Sequence, residues 1–395
     1  MKKSNMIKLA SGLAFMLLST TTVSAISWKH KNAGADAKLV MFGFSQINAG
    51  MGDGSIDKAS DSQVKFGADR IRLGWKYFSG KVVGKVFLDF NQATDKKEDT
   101  GFRRVMKDAF VGYNFNNNLQ VKAGLIKTPV GMGFTIPGWN LDVIKRGFDK
   151  KLAFERGTGL MFSGRDMGFG NNGKVNALEM GHERPWKGFG YDIMIANQTT
   201  RSGAVKESNK KDSEGNAYMG RLMFDWGQAL HTELSYGTNP MAGGTKESED
   251  YNVLNFGIDS HLGRSNLKFE YYDVANIQGR KGWDMTTTAV TGTYYVTDAI
   301  ELAVKDIRGS EKLDGRTSDV SNTYLGVNIH LNPVNAKMDR SSKRKRNRHK
   351  VMINYVVAGG DTDTFNKSMN SENFKGKTGS FYRDDTILAQ YQFKF

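Results

Sequence analysis

Between residues 70 and 77 the chain alternates strictly. Ile71, Leu73, Trp75 and Tyr77 fall on one parity, and Arg70, Arg72, Gly74 and Lys76 on the other. Successive strand side chains point to opposite faces of a sheet, so this period predicts a β-strand with one apolar and one basic face. The next run repeats it, with Val82, Val86, Leu88 and Phe90 set against Lys81, Lys85, Phe87 and Asp89. Comparable runs predict about sixteen strands from Lys38 to Phe395. The sixth falls at Asp166–Met180, and the thirteenth and fourteenth at Asp298–Ile307 and Ser321–Leu331.

The connections between these runs are of two kinds. Short ones at Ser79-Gly80, Asn116-Asn117-Asn118, Gly227-Gln228, Gly263-Arg264-Ser265 and Thr297 use residues that tolerate turn geometry. Longer polar ones fall between them, including Arg308–Val320 and Gly359–Asp384. Tight turns on one rim and long loops on the other predict an all-β fold, a transmembrane antiparallel up-and-down β-barrel of about sixteen strands.

In such a barrel one face of every strand meets lipid. An arginine or lysine facing mid-bilayer lipid costs about 2–4 kcal/mol, so the basic parity must face water in the lumen. Arg70, Arg72, Lys76, Lys81 and Lys85 are therefore candidate anion-selectivity residues of the lumen. The third long connection, Pro129–Gly164, is expected to fold inward and narrow the pore. With its flank it offers Lys127, Lys145, Arg146, Lys150, Lys151 and Arg156 as a constriction set. Fixed charges a few ångströms from a permeating ion shift its energy by about 1 kcal/mol each at an effective dielectric of a few tens.

The N-terminus adds an export signal. Lys2, Lys3 and Lys8 precede the mostly apolar run Leu9–Leu18, and Val23-Ser24-Ala25 offers small side chains before a cut at Ile26. The run is too short to cross a bilayer as a helix, which takes ~20 residues. Residues 1–25 are read as a cleaved signal peptide, 26–37 as an N-terminal periplasmic extension and 38–395 as the barrel. This places the protein in the outer membrane of a Gram-negative bacterium.

Composition refines that reading. A mean hydropathy of -0.50 would suit a soluble protein, but a barrel strand is half polar by design. The absence of cysteine excludes a disulfide framework, and 45 glycines against 5 prolines suit turns and bulges. The net charge of +15 outlasts removal of the three leader lysines and implies an anionic partner, small inorganic anions or lipopolysaccharide. No recognition helix or stacking motif points to nucleic acid.

A second basic feature runs from Arg340 to Lys350, Arg-Ser-Ser-Lys-Arg-Lys-Arg-Asn-Arg-His-Lys. It reads either as a solvated insert or, at Lys343–Lys350, as an anion funnel or a dock for an acidic periplasmic partner. The six histidines show no metal-ligand spacing. His231 and Glu233 share a strand face, but no serine elbow accompanies them, so neither a cofactor nor catalysis is expected.

Lys107–Phe115, Leu119–Gly124 and Lys127-Thr128-Pro129-Val130-Gly131 resemble the corresponding run of the phosphate-selective porin O and P family. Phe154-Glu155-Arg156 and Gly164-Arg165-Asp166-Met167-Gly168 follow in the same order, and the terminal Phe395 resembles the aromatic end of outer-membrane barrels. The resemblance implies a homotrimeric sixteen-stranded porin whose inward third loop and lumen bases pass anions, with phosphate or a related oxyanion as cargo. The basic insert departs from the family pattern. A general diffusion porin with little selectivity and a structural or adhesive barrel remain as alternatives.

Overall fold

The computed structural model describes residues 26–32, 35–52, 64–92, 105–116, 118–167, 187–197, 215–227, 229–240, 249–331, 349–361 and 381–395. Its strands are β1 (Ser27–Asn32), β2 (Ala35–Met51), β3 (Lys65–Ser79), β4 (Val82–Asp89), β5 (Met106–Asn116), β6 (Leu119–Lys127), β7 (Arg156–Met167), β8 (Lys187–Ala196) and β9 (Ala217–Trp226). There follow β10 (Leu230–Asn239), β11 (Tyr251–Leu262), β12 (Ser265–Ala275), β13 (Asp284–Tyr295), β14 (Ile300–Leu313), β15 (Arg316–His330), β16 (His349–Gly360) and β17 (Thr386–Lys394).

Each strand from β2 to β17 pairs antiparallel with its sequence neighbour, and β17 pairs back onto β2, with Lys394 opposite Phe44 and Ile387 opposite Met51. The result is the closed sixteen-stranded barrel that the alternation predicts. Closure leaves no open edge among these sixteen strands. No helix among the described residues is long and apolar enough to cross a membrane, which says nothing of a barrel.

The outer face carries the apolar parity, including Val86, Val111, Leu222, Leu234, Leu302, Val304 and Leu325, all well exposed. Tyr113, Phe115, Phe189, Trp226 and Tyr294 ring the tight-turn rim on the same face. Such an arrangement of apolar band and aromatic girdle is what a lipid-facing barrel wall requires.

Two elements differ from the sequence expectation. The third long connection ends at Glu155 rather than Gly164, and β7 begins at Arg156 instead of Asp166. Gly157, Gly159 and Gly164 make this strand look like a loop in sequence. Gly159 is in fact sterically required, since a Cβ there would lie 2.1 Å from the Ile195 carbonyl oxygen of β8.

The connection expected over Arg308–Val320 is instead a long β14–β15 hairpin closed by Asp314-Gly315. Their φ values of 51° and 75° fit the two left-handed positions of a tight hairpin turn. Within residues 26–37, read as an N-terminal extension, β1 pairs with β2, Ser27 opposite Val40 and Asn32 opposite Ala35.

Two register shifts matter for the lumen. Gln46 faces Arg70 but Ile47 faces Ala68, which makes Asp69 an extra residue in β3. Phe87 faces Asp108 while Leu88 faces Met106, which makes Lys107 an extra residue in β5. A bulge breaks the strict alternation, so neighbouring residues can present charge to the same side.

Candidate functional site

The third loop, residues 128–155, lies inside the barrel, fastened by side chains from much of the wall. The amides of Gly131, Met132 and Gly133 donate to Ser235 Oγ, Asn255 Oδ1 and Glu270 Oε1, which belong to β10, β11 and β12. Further along, the Ile144 amide donates to Asn354 Oδ1, Asn328 Nδ2 donates to Asp142 O, and Lys350 Nζ donates to Leu141 O. Gln46 and Gln392 hold Gly138 O and Trp139 O from β2 and β17. Lys268 pairs with Asp142, and Lys305 reaches both Arg146 O and Asp149. Loop residues Val130, Phe134, Val143, Ile144, Phe148, Leu152 and Phe154 fill an apolar cluster against inward side chains such as Tyr251, Val274, Ile307 and Tyr324.

Lys350, which the sequence reading assigns to the basic insert, is thus buried beneath the third loop. His349 begins β16 with its ring 5.1 Å from that of Phe393. Residues 340–348 of the insert lie outside the described residues.

Because the loop is packed against β10–β17, its other side faces the basic wall of β3–β7. Arg70 lies on that wall, hydrogen bonded to Gln46 at 2.5 Å. Arg72 pairs with Asp89 at 2.8 Å, Lys85 with Asp108 at 2.5 Å and Arg156 with the same Asp108 at 2.9 Å. Lys76 sits over the Phe42 ring at 4.4 Å. Lys81 falls at the tight-turn rim, where it donates to Phe115 O at 3.3 Å, and so stands apart from the cluster around the loop.

On the loop, Lys145 pairs with Asp69 and Lys150 with Glu155 at 3.7 Å. The Lys151 side chain lies outside the described residues. Lys127 donates to Thr135 O at 3.1 Å, and Arg146 donates to Gly133 O at 3.0 Å and to Ile136 O. Burial, reinforced by Arg70 and Arg72, holds the Arg146 guanidinium below its ordinary value. It remains cationic at neutral pH.

Sequence reasoning missed two cations here. Lys107, the bulge residue of β5, lies among Arg156, Glu155 and Arg72. Lys122 of β6 sits near Asp192, Arg165, Lys85 and Arg221, 5.7 Å from the Phe110 ring centre. Alternation on β6 would have placed Lys122 on the lumen face. No sequence signal marks the bulge that turns Lys107 inward.

The carboxylates decide where charge survives. Arg72, Lys85 and Arg156 are matched by Asp89 and Asp108, while Arg70, Lys107, Lys122, Lys127 and Arg146 form no ion pair among the described residues. Arg70, Lys122, Lys127 and Arg146 are held instead by an amide oxygen, carbonyls and ring faces, which orient a cation without neutralising it. A small cavity of about 40 Å³ between the loop and β12–β14 has mixed charge, with Asp142, Asp149 and Glu270 beside Lys145, Arg146, Lys268 and Lys305.

His231 lies between Asp225 at 3.1 Å and Glu233 at 3.2 Å. It ends a chain of buried ion pairs running Arg165, Asp192, Arg221, Glu233 along β7–β10. Among the described residues no group of histidines and carboxylates could hold a metal ion.

Neither a family model nor a curated protein sequence matches the chain. Solved structures do. The trimer form of OmpT, an outer membrane protein of Vibrio cholerae, superposes with a TM-score of 0.58 at 11% identity, covering 91% of this chain and 99% of that one. An anion-selective porin from Comamonas acidovorans gives 0.56 at 14% identity, over 91% and 100%. OmpF of Salmonella typhi, in complex with daunomycin, gives 0.57 at 11% identity, over 93% and 100%. These likenesses show the fold alone, a closed sixteen-stranded antiparallel barrel.

Proposed function

We propose that the chain is an outer-membrane porin whose water-filled lumen passes small anions by diffusion, with no chemistry and no cofactor. The observation that carries this reading is the set Arg70, Lys107, Lys122, Lys127 and Arg146, buried or half-buried in the lumen without a matching carboxylate. Uncompensated charge held in a narrow zone lowers the energy of an anion and raises that of a cation. Screening at physiological salt acts over ~8 Å, so the narrow zone alone needs dense charge. Phosphate and related oxyanions are the cargo favoured by the sequence resemblance, and the anion-selective porin among the structural neighbours is a second support. A homotrimer is proposed by analogy with the trimer form of OmpT.

The test is planar-bilayer recording of the purified protein in a salt gradient, followed by phosphate titration into chloride. The expected result is a reversal potential of anion sign, shrinking as salt rises, with phosphate blocking chloride current. Anion preference without block leaves a general anion pore. A cation-selective or unselective current overturns the reading. The mixed-charge cavity beside β12–β14 favours the unselective pore as runner-up. A folded but silent barrel would indicate an adhesive or structural role.

Removal of residues 1–25 belongs to the same proposal and has support from register. The backbones of Phe395 and Gly43 exchange hydrogen bonds at 3.1 and 3.3 Å, and Met41 N donates to Ile26 O at 2.8 Å on the same edge of β2. Only the position opposite Phe42 separates Phe395 from Ile26. A mature N-terminus at Ile26 fits beside Phe395 on this edge of β2. Mass spectrometry of protein from outer membranes should show a mature N-terminus at Ile26, and a retained leader would refute the boundary.

A further inference from the structure

We infer that Phe134 is a positioning residue that seats Lys127 and Arg146 at the cationic edge of the third loop. Phe134 lies in the single helical turn α1 (Met132–Thr135) and is 4% exposed within the apolar cluster that docks the loop. Both cations lie within reach of its ring: Lys127 Nζ is 4.5 Å from the centroid and Arg146 Cζ is 5.9 Å away. Carbonyls of this turn and of Ile136 just past it hold the same two heads, Thr135 O taking Lys127 and Gly133 O and Ile136 O taking Arg146.

This arrangement solves a specific problem. A cation in a narrow pore must be fixed in place, yet a carboxylate that fixes it also cancels its charge. An aromatic face attracts a cation through the ring quadrupole and carries no net charge, and carbonyl dipoles behave likewise. Phe134 contributes twice, because its ring belongs to the apolar cluster while its π-electrons fix the two charges. Loop docking and charge placement are thereby coupled through one side chain that need not touch the ion. The inference rests on the anion-preferring reading of the pore and adds a residue that charge counting would not find.

The test replaces Phe134 in the full chain by a series of progressively fluorinated phenylalanines, which keep the ring shape while withdrawing electron density from its face. Two quantities are read: the anion-to-cation permeability ratio in planar bilayers, and acylation of Lys127 by a water-soluble reagent, measured by mass spectrometry. The permeability ratio should fall stepwise, by about threefold at the trifluoro ring, while Lys127 labelling rises. Phe134→Leu should lose as much, and Phe134→Trp should retain the wild-type ratio.

A flat fluorination series with a loss confined to Phe134→Leu would mean that the ring only packs, and the inference would be wrong. Unchanged Lys127 labelling throughout would overturn it as well. A wild-type channel with no anion preference, but with labelling that still rises along the series, would instead overturn the pore reading and leave the positioning role standing.

Discussion

Replacing Arg70, Lys107 and Arg146 together by glutamine should lower the anion-to-cation permeability ratio by at least about tenfold and leave the barrel folded. Each charge acts on a nearby ion with about 1 kcal/mol at an effective dielectric of a few tens, and about 1.4 kcal/mol corresponds to a factor of ten. The three are chosen because none is paired with a carboxylate among the described residues, so glutamine leaves no buried acid stranded. Arg72 and Arg156 are a different case. Replacing Arg72 strands Asp89, and replacing Arg156 leaves Asp108 with Lys85 alone. Breaking a buried pair from one side costs about 3–5 kcal/mol, so those variants would confuse selectivity with folding. Reversal potentials, read beside a gel assay of heat-modifiable mobility for barrel folding, separate the two effects. An unchanged reversal potential in the folded triple variant would place the filter elsewhere.

Gly159→Val should abolish the folded barrel. The added Cβ would sit 2.1 Å from Ile195 O and 2.5 Å from Ala196 Cα, both backbone atoms of the neighbouring strand. Backbone contacts of this kind cannot be relieved by rotating a side chain, and the β7–β8 ladder would have to open. In a closed barrel one open ladder exposes two unpaired edges, each backbone group costing several kcal/mol in lipid. Val290→Ala, a lipid-facing change on β13, serves as the control. A heat-modifiable, protease-resistant barrel from the Gly159→Val chain would show that the wall adapts more than the packing allows.

The lumen shows how far alternation carries and where it stops. The parity of Arg70, Arg72, Lys76 and Lys85 is legible because a lipid-facing base is so costly that the basic face can only be the wet one. Which of these bases keep their charge is not legible. Asp89 follows Lys85 on the same parity, yet it neutralises Arg72 across the β3–β4 pair, and Asp108 serves two bases on different strands. Lys81 has the correct parity but stands at the turn, out of reach of the loop.

Similar reasoning applies to the third loop. Its length and basic content mark it in the sequence, but its end does not, because a strand that begins Arg156-Gly157-Thr158-Gly159 hides its inward face behind residues without side chains. Nor can a one-dimensional pattern indicate that Lys268, Lys305 and Lys350 are spent on fastening the loop rather than on lining a pore.

The sequence by itself determined the class of structure: alternation with a basic parity, tight turns on one rim and long loops on the other admit a closed antiparallel barrel. That follows because a period of two and the cost of burying charge in lipid are local properties of each strand. Only the tertiary structure decided which cations remain uncompensated, since compensation depends on partners brought together across strands and on bulges at Asp69 and Lys107 that break the period. Charge in a pore is a property of neighbours in space, and those neighbours exist only once the barrel has closed around its third loop.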